Sequence, residues 1–315
     1  MGKKVTIIGA GSVGSTIAYT MAVNGIATEV VMIDINESKS LGEALDIRQG
    51  VSFCPPISIY AGSYADAQDS DIVILTSGVA RKPGQSRLEL AQVNVNITKS
   101  IVPEITKYAP NAVYIIVSNP VDILTYVFTK VSGLPEKQII GSGTILDTAR
   151  LRARLAEYFS INQQNVHAYV FGEHGDTSFV PWSIGNISNI PIDQYSDCLT
   201  EKGTVIPKLV HSDVENYIRK SGGKIIERKG ATFYAVAVSV CHICKCIFSD
   251  ADTTMTVSSM MHGEYGIEDV CLSTLSIVGA GGLAGKLMIP LTDEETALLH
   301  KSADSLKAVL NGIQI

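Results

Sequence analysis

The chain lacks a basic excess: 25 Lys and Arg stand against 31 Asp and Glu, for a net charge of -6 and a pI near 5.5. A phosphate-backbone binder needs a cationic face, so nucleic acid is excluded as a partner. It also lacks a long hydrophobic run near its start. The apolar stretch Val5 to Ile8 is too short for a signal peptide or a membrane span, and the expectation is a cytoplasmic protein with no membrane partner. Cysteine is sparse. Of the six, Cys241, Cys244 and Cys246 cluster beside His242, but no second Cys-x-x-Cys pair follows to complete the four converging ligands that a closed zinc site requires. Helical periodicity instead places Cys241 and Cys244 on one face as small core residues, and no metal is expected. Disorder is excluded as well, because 46% hydrophobic against 18% charged residues is an ordinary globular balance.

What is present suits two domains sharing a cleft, with a boundary between residues 1–142 and 143–315 of the 315. The run Lys3 to Ile8 leads at once into Gly9-Ala10-Gly11-Ser12-Val13-Gly14 and then a helical pattern. Strand, glycine turn and helix are the context that a dinucleotide fingerprint needs. Gly9 permits the tight turn, Gly11 lets backbone amides approach a pyrophosphate, and Gly14 allows close packing of helix on strand. A second strand, Glu29 to Ile33, ends in Asp34, 20 residues after Gly14. A carboxylate there accepts ribose hydroxyls and repels a 2′-phosphate, so the expected cofactor is NAD and not NADP. Strand and helix then alternate through Glu37 to Gln49, Ile57 to Ala61 and Ile72 to Thr76, the pattern of an α/β Rossmann-type doubly wound parallel sheet.

Ligands of such sheets lie beyond the strand carboxyl ends. Gly78 and Val79 begin the loop that continues through Arg81-Lys82-Pro83-Gly84-Gln85-Ser86-Arg87 ahead of a helix over Leu88 to Tyr108, and this polar, cationic segment has the makings of a lid. The strand Val113 to Val117 ends in Ser118-Asn119-Pro120-Val121-Asp122, where Asn119 can donate and accept hydrogen bonds. A helix over Ile145 to Phe159 carries Asp147 and Arg150 on one face. Two accounts of that pair stay open: an intrahelical ion pair, or an aspartate orienting an imidazole while the arginine grips a carboxylate. An apolar strand, His167 to Phe171, delivers Gly172-Glu173-His174-Gly175-Asp176-Thr177 into a turn, placing one imidazole where small flanking residues leave room for a substrate and a flat cofactor ring.

The second half is less regular, an α+β unit. Helices are expected over Thr200 to Lys220, Thr232 to Ser249 and Thr292 to Leu310, the last with a capping box formed by Thr292 and Glu295. Antiparallel strands are expected over Thr254 to Met261 and Cys271 to Val278. The glycine cluster Gly279 to Gly285 fails the phosphate-loop pattern, since Ala280 and Leu287 occupy its defining positions, and reads as a hairpin turn.

These motifs, spread along nearly the whole chain, resemble those of the lactate/malate dehydrogenase family. The resemblance implies that His174 exchanges the proton, that Asp147 is its carboxylate partner, that Arg150 binds the substrate carboxylate and that Arg87, on a closing lid, polarises the carbonyl. It implies that Asn119 bonds the reacting oxygen, that Thr232 lines the substrate pocket and that Gly9, Gly11, Val13, Gly14, Asp34, Lys39, Tyr64, Gly78, Val79, Val117 and Asn119 border NAD. Arg81 falls where the family reads the substituent on the 2-oxo acid, and an arginine there favours a second carboxylate. The expectation is therefore malate dehydrogenase acting on a dicarboxylic substrate, with L-lactate dehydrogenase as the alternative, because Leu88, Glu89 and Thr232 look more like the lactate branch. Arg152 and His167 match positions where bacterial relatives gather a sugar bisphosphate, and they read equally as a surface arginine and a strand-leading histidine. A homodimer or homotetramer is implied. Two other classes compete: an NAD-dependent glycosidase, which calls on a metal that this chain does not assemble, and a non-catalytic NAD-binding structural protein, which the retention of His174, Asp147, Arg150 and Arg87 disfavours.

Overall fold

The computed structural model describes residues 2–79, 86–199 and 208–315, with Arg87 described in its backbone only. Strand β1 (Lys4–Ile8) leads into α1 (Ser12–Asn24), β2 (Glu29–Ile33), α2 (Glu37–Gly50), β3 (Ser58–Ala61), β4 (Ile72–Leu75), α3 (Arg87–Tyr108), β5 (Val113–Ile116), α4 (Val121–Ser132) and β6 (Ile139–Gly141). There follow α5 (Ile145–Phe159), β7 (Val166–His167), β8 (Asn186–Ile187), β9 (Ile190–Pro191), α6 (Ile192–Tyr195), α7 (His211–Lys229), α8 (Tyr234–Ser249), β10 (Thr253–His262), β11 (Glu268–Gly279), β12 (Gly282–Lys286) and α9 (Asp293–Asn311).

The first six strands are parallel and lie in the order β6-β5-β4-β1-β2-β3. That reversal of order beside β1 is the switch point at which such sheets bind dinucleotides. Alternation with a period of two explains why the strands read as continuous apolar runs. Ile8, Val31, Ile33, Val73, Leu75, Tyr114 and Ile116 bury one face under α3, α4 and α9. Ile7, Val30, Met32, Ile72, Ile74 and Ile115 bury the other under α1 and α8. A side chain of this size fully removed from water contributes about 1.5–3 kcal/mol, so neither face tolerates a one-residue slip of register.

The antiparallel ribbon β10, β11 and β12 extends the same sheet, joining β6 through the pairing of Ser258 with Gly141. A third core, built on Leu151, Leu155, Phe159, Val166, Val170 and Ile218, belongs to the second half. Cys241 and Cys244 are buried on the inner face of α8. Among the described residues no group of His, Cys, Asp and Glu is arranged to hold a metal ion, and no helix is long and apolar enough to cross a membrane.

Three expectations change. The strand over 167–171 is not continuous: β7 stops at His167, and Phe171 and Gly172 make isolated bridges to Phe179 and Ser273. Its apolar character comes from burial, of Ala168 and Val170 in the third core and of Phe171 in the core under α3, α4 and α9, not from ladder pairing. The helix expected over 200–220 is instead α7, which begins at His211 and runs to Lys229; residues 200–207 lie outside the described residues. Its start is held by tertiary contacts that local pattern does not encode, His211 stacking on Trp182 at 3.9 Å and bonding Asp193 at 2.7 Å. Helix α8 starts at Tyr234, leaving Thr232 in the segment before it. The capping box of α9 forms as read: Thr292 accepts from the Glu295 amide and Glu295 accepts from the Thr292 amide.

Candidate active site

The glycine turn is fixed from both neighbouring strands. Gly9 has φ 105°, a conformation that suits glycine, and its amide donates to Ile33 O at 2.7 Å. Thr76, just past β4, donates its hydroxyl to Gly9 O at 2.8 Å. A Cβ on Gly14 would stand 1.9 Å from Gly9 O, so only glycine lets α1 start this close to β1. Asp34 reaches back to accept from the Ala10 amide at 2.7 Å while its other oxygen accepts from the Asn36 amide at 2.8 Å. Those two bonds hold the carboxylate at the end of β2 and leave it further acceptor capacity.

This cradle fits NAD on its own chemistry. The first turn of α1 has no side-chain cap and no acidic residue, so its amides are available to a pyrophosphate. Space beside Gly11 is open, and the buried Ser77 hydroxyl has no hydrogen-bond partner among the described residues.

Beyond β4 and β5 the backbone is gathered by a residue that the sequence reading did not single out. Asn94, buried on α3, accepts from the Val79 amide at 2.9 Å and donates to Val79 O at 3.2 Å and Asn119 O at 2.7 Å. It thereby ties the strand-end segment carrying Gly78 to the one carrying Asn119, whose bond to Pro120 is cis. A narrow cleft of about 40 Å³ opens here, lined by Val117, Asn119, Leu146, His174 and Val236.

Asp147, on the first turn of α5 next to the cleft-lining Leu146, divides its carboxylate. Oδ2 lies 2.6 Å from His174 Nδ1 and Oδ1 accepts from Arg150 Nη1 at 2.9 Å. The two accounts of Asp147 and Arg150 thus coexist: the ion pair is real, and the same aspartate orients the imidazole. With Nδ1 donating to Asp147, Nε2 is the nitrogen left to face the cleft. The His174 side chain keeps 26% of its surface exposed, while that of Asp147 keeps 8%.

The electrostatics follow from this geometry. The Asp147 charge, followed by its hydrogen bond and the field of Asp122, outweighs burial and pushes the His174 pKa up to about 9. Burial alone would raise Asp147, but His174 and Arg150 hold it below its ordinary value. At neutral pH the pair is imidazolium and carboxylate.

The remaining expected residues fall as follows. Val13 packs partly against the core beside α1. Lys39 is exposed on α2, its amide donating to the Asn36 cap. Tyr64, partly buried, packs against the core under α3, where burial raises its pKa. The α8 wall of the cleft is made by Val236, Ser239 and Val240, with Thr232 preceding that helix. Arg152 donates to Ala168 O at 3.1 Å and lies over the Tyr169 ring, and His167 is exposed. Arg81 and Gln85 lie outside the described residues, as does the side chain of Arg87, the first residue of α3. Asp122, Ser258 and Ser302, which the sequence reading gave no role, brace the histidine turn: Asp122 accepts from the His174 amide at 2.8 Å and Ser302 from the Glu173 amide at 2.6 Å. The signal for Asp122 was its place in the Ser118 to Asp122 motif; nothing local marks Ser258 or Ser302.

The sequence model described as the lactate/malate dehydrogenase NAD binding domain matches residues 3–141, and that of the family's alpha/beta C-terminal domain matches residues 144–314. The chain is 46% identical over 312 residues to an L-lactate dehydrogenase of Thermoanaerobacter pseudethanolicus, covering 99% of each. It is 45% identical over 314 residues to that of Acetivibrio thermocellus, covering 99% of this chain and 98% of the relative. The crystal structure of a minor L-lactate dehydrogenase from Enterococcus mundtii superposes with a TM-score of 0.93 at 38% identity, covering 100% of this chain and 99% of that one. These likenesses overturn the expectation of malate dehydrogenase and of a dicarboxylic substrate. That expectation rested on one loop side chain, Arg81, whereas the kinship runs through the whole chain. Two halves of one fold, matched from end to end, place the chain in the lactate/malate dehydrogenase family, whose members are NAD-dependent oxidoreductases acting on the CH–OH group of a 2-hydroxy acid.

Proposed function

We propose that this protein is an L-lactate dehydrogenase, interconverting pyruvate and L-lactate. The observation that carries the chemistry is the division of the Asp147 carboxylate between His174 and Arg150. The choice of lactate rests on the full-length likeness to enzymes of that name. Residues 1–142 hold NAD in this reading and residues 143–315 the substrate. When bound, reduced NAD supplies the hydride. The protein's own groups do the rest. The amides at the start of α1 and the Asp34 carboxylate hold the dinucleotide, and Val117 and Val236 exclude water from the cleft. Arg150 binds the substrate carboxylate with the part of its planar fork not committed to Asp147. His174, protonated and held by Asp147, gives its Nε2 proton to the carbonyl oxygen as that oxygen gains charge. Asn119 and Arg87 stabilise the same oxygen, and Thr232 borders the substrate. In the reverse direction neutral His174 takes the hydroxyl proton, and Asp147 stabilises the imidazolium that results.

The enzyme acts in the cytoplasm as a homodimer or homotetramer in this reading. The deciding experiment is steady-state NADH oxidation with pyruvate and with oxaloacetate, compared as kcat/KM. A preference for pyruvate is expected; a preference for oxaloacetate overturns the assignment.

A further inference from the structure

Behind the histidine turn stands a second buried carboxylate that the reaction just described does not use. Asp122 is 2% exposed on the first turn of α4, only a few residues beyond Asn119. One oxygen accepts from the His174 backbone amide at 2.8 Å, and the other accepts from the Ser258 hydroxyl at 2.6 Å. Ser258, itself fully buried, is the residue of β10 that pairs with Gly141 of β6 and so joins the parallel sheet to the antiparallel ribbon. Three elements distant in sequence therefore meet at one side chain: α4, the His174 turn and the sheet junction.

Burying a carboxylate is costly unless its environment compensates. Two neutral donors are modest compensation, since either would be satisfied by an uncharged amide at this position. An aspartate retained here needs a reason beyond hydrogen bonding. The carboxylate that holds the His174 amide also acts through its charge on the imidazole, which already carries the Asp147 pair. Facing Asp122 from the elements packed around it are His174 and Glu173 of the turn, Ser258 of β10 and Cys271 of β11. Asp147 and Arg150 of α5 face the imidazole from the other side.

Resting on the assignment of His174 as the proton-exchanging group, we propose that Asp122 is a positioning residue for the reaction. Its carboxylate anchors the His174 backbone to the sheet junction and adds a second negative charge that keeps the imidazole protonated. Two consequences follow from the neighbours. Burial lifts the Asp122 pKa to about 6 against the pull of Ser258 and of the His174 amide and charge, so the second charge is present at neutral pH and is lost in mild acid. The Ser258 hydroxyl favours the charged form and so sets where that loss occurs.

The test is an NMR titration of the His174 imidazole in the full-length protein, its signal assigned by its absence in H174Q, with wild type, D122N and S258A compared. An asparagine keeps an acceptor for the His174 amide and a donor for the Ser258 oxygen while removing the charge. The expected result is a His174 midpoint that moves down in D122N, with the alkaline fall of pyruvate reduction moving down beside it. In S258A, Asp122 protonates at higher pH, so the acid-side inflection of the His174 signal moves up. If D122N does not fold, the S258A inflection decides. A His174 midpoint in D122N equal to that of wild type, or an S258A inflection that stays in place, overturns the proposal. Failure of the functional assignment is seen separately, as wild-type protein that does not reduce pyruvate.

Discussion

Asp147 shows how one side chain can serve two partners without conflict, because a carboxylate has two oxygens and each takes a different donor. Replacing it by asparagine leaves the shape but removes the charge, and an amide nitrogen would face either His174 Nδ1 or Arg150. The expected loss in kcat for D147N is roughly 100-fold or more, with the His174 titration midpoint falling towards the ordinary value of ~6.5; stopped-flow turnover and the NMR titration check both. In the wild-type enzyme the His174 pKa is raised to about 9. Pyruvate reduction, which needs the imidazolium, should therefore be flat through neutral pH and fall as pH rises through about 9, while lactate oxidation, which needs the neutral ring, should rise over the same range. Stability has the same sign. Folding favours protonated His174, so that contribution is complete below ~6.5 and is lost as pH climbs through about 9. Urea unfolding at a series of pH values measures it. An acid-side optimum for reduction that collapses near pH ~6.5 would contradict the geometry.

At the scale of elements, the active site is assembled from ends: the start of α1, the ends of β4 and β5, and the first turns of α4 and α5. Helix α1 can begin where it does only because Gly14 has no Cβ to meet Gly9 O at 1.9 Å. Gly14→Ala must push the helix away from β1, and the expected outcome is loss of NADH affinity by at least ~10-fold, which corresponds to about 1.4 kcal/mol, read by fluorescence titration. The cap of α9 tests stability apart from catalysis. Glu295 is buried and accepts from Ser183 N at 2.9 Å, Ser183 Oγ at 2.6 Å and Thr292 N at 3.0 Å. Truncating it to alanine leaves those donors without an acceptor, which costs about 1–3 kcal/mol, measured as a lower urea midpoint with kcat little changed in the residual folded enzyme.

For the whole molecule, one sheet runs through both halves, so cofactor binding should stabilise the protein globally. NADH at 100 times its Kd is expected to add about 2.7 kcal/mol to unfolding, seen as one cooperative upward shift in Tm; two separate transitions, only one of which moves, would contradict that coupling. Arg152 bonds the Ala168 carbonyl, one residue along the chain from the exposed His167, and a titration with fructose 1,6-bisphosphate tests whether that pair serves an effector. A lower apparent KM for pyruvate supports it, and a flat response disposes of it.

The sequence by itself determined the strand and helix order of the first half, the glycine turn with Asp34, the α5 positions of Asp147 and Arg150, and the histidine turn. Those features are local: a period of two or of 3.6, a glycine where no side chain fits, or residues one helical turn apart. Only the tertiary structure decided that one Asp147 carboxylate serves both His174 and Arg150, that α7 begins at His211 on the Trp182 ring, and that Asn94 and Asp122 hold the site from behind. Apart from the Asp147–Arg150 pair, three residues apart on one helix, each of these joins residues separated by a helix or more of chain, and a contact between such residues leaves no periodic trace in either segment. Arg81 makes the same point for specificity. A cationic residue in a loop has a known charge, but its consequence for substrate depends on where the folded pocket puts it, which no spacing records.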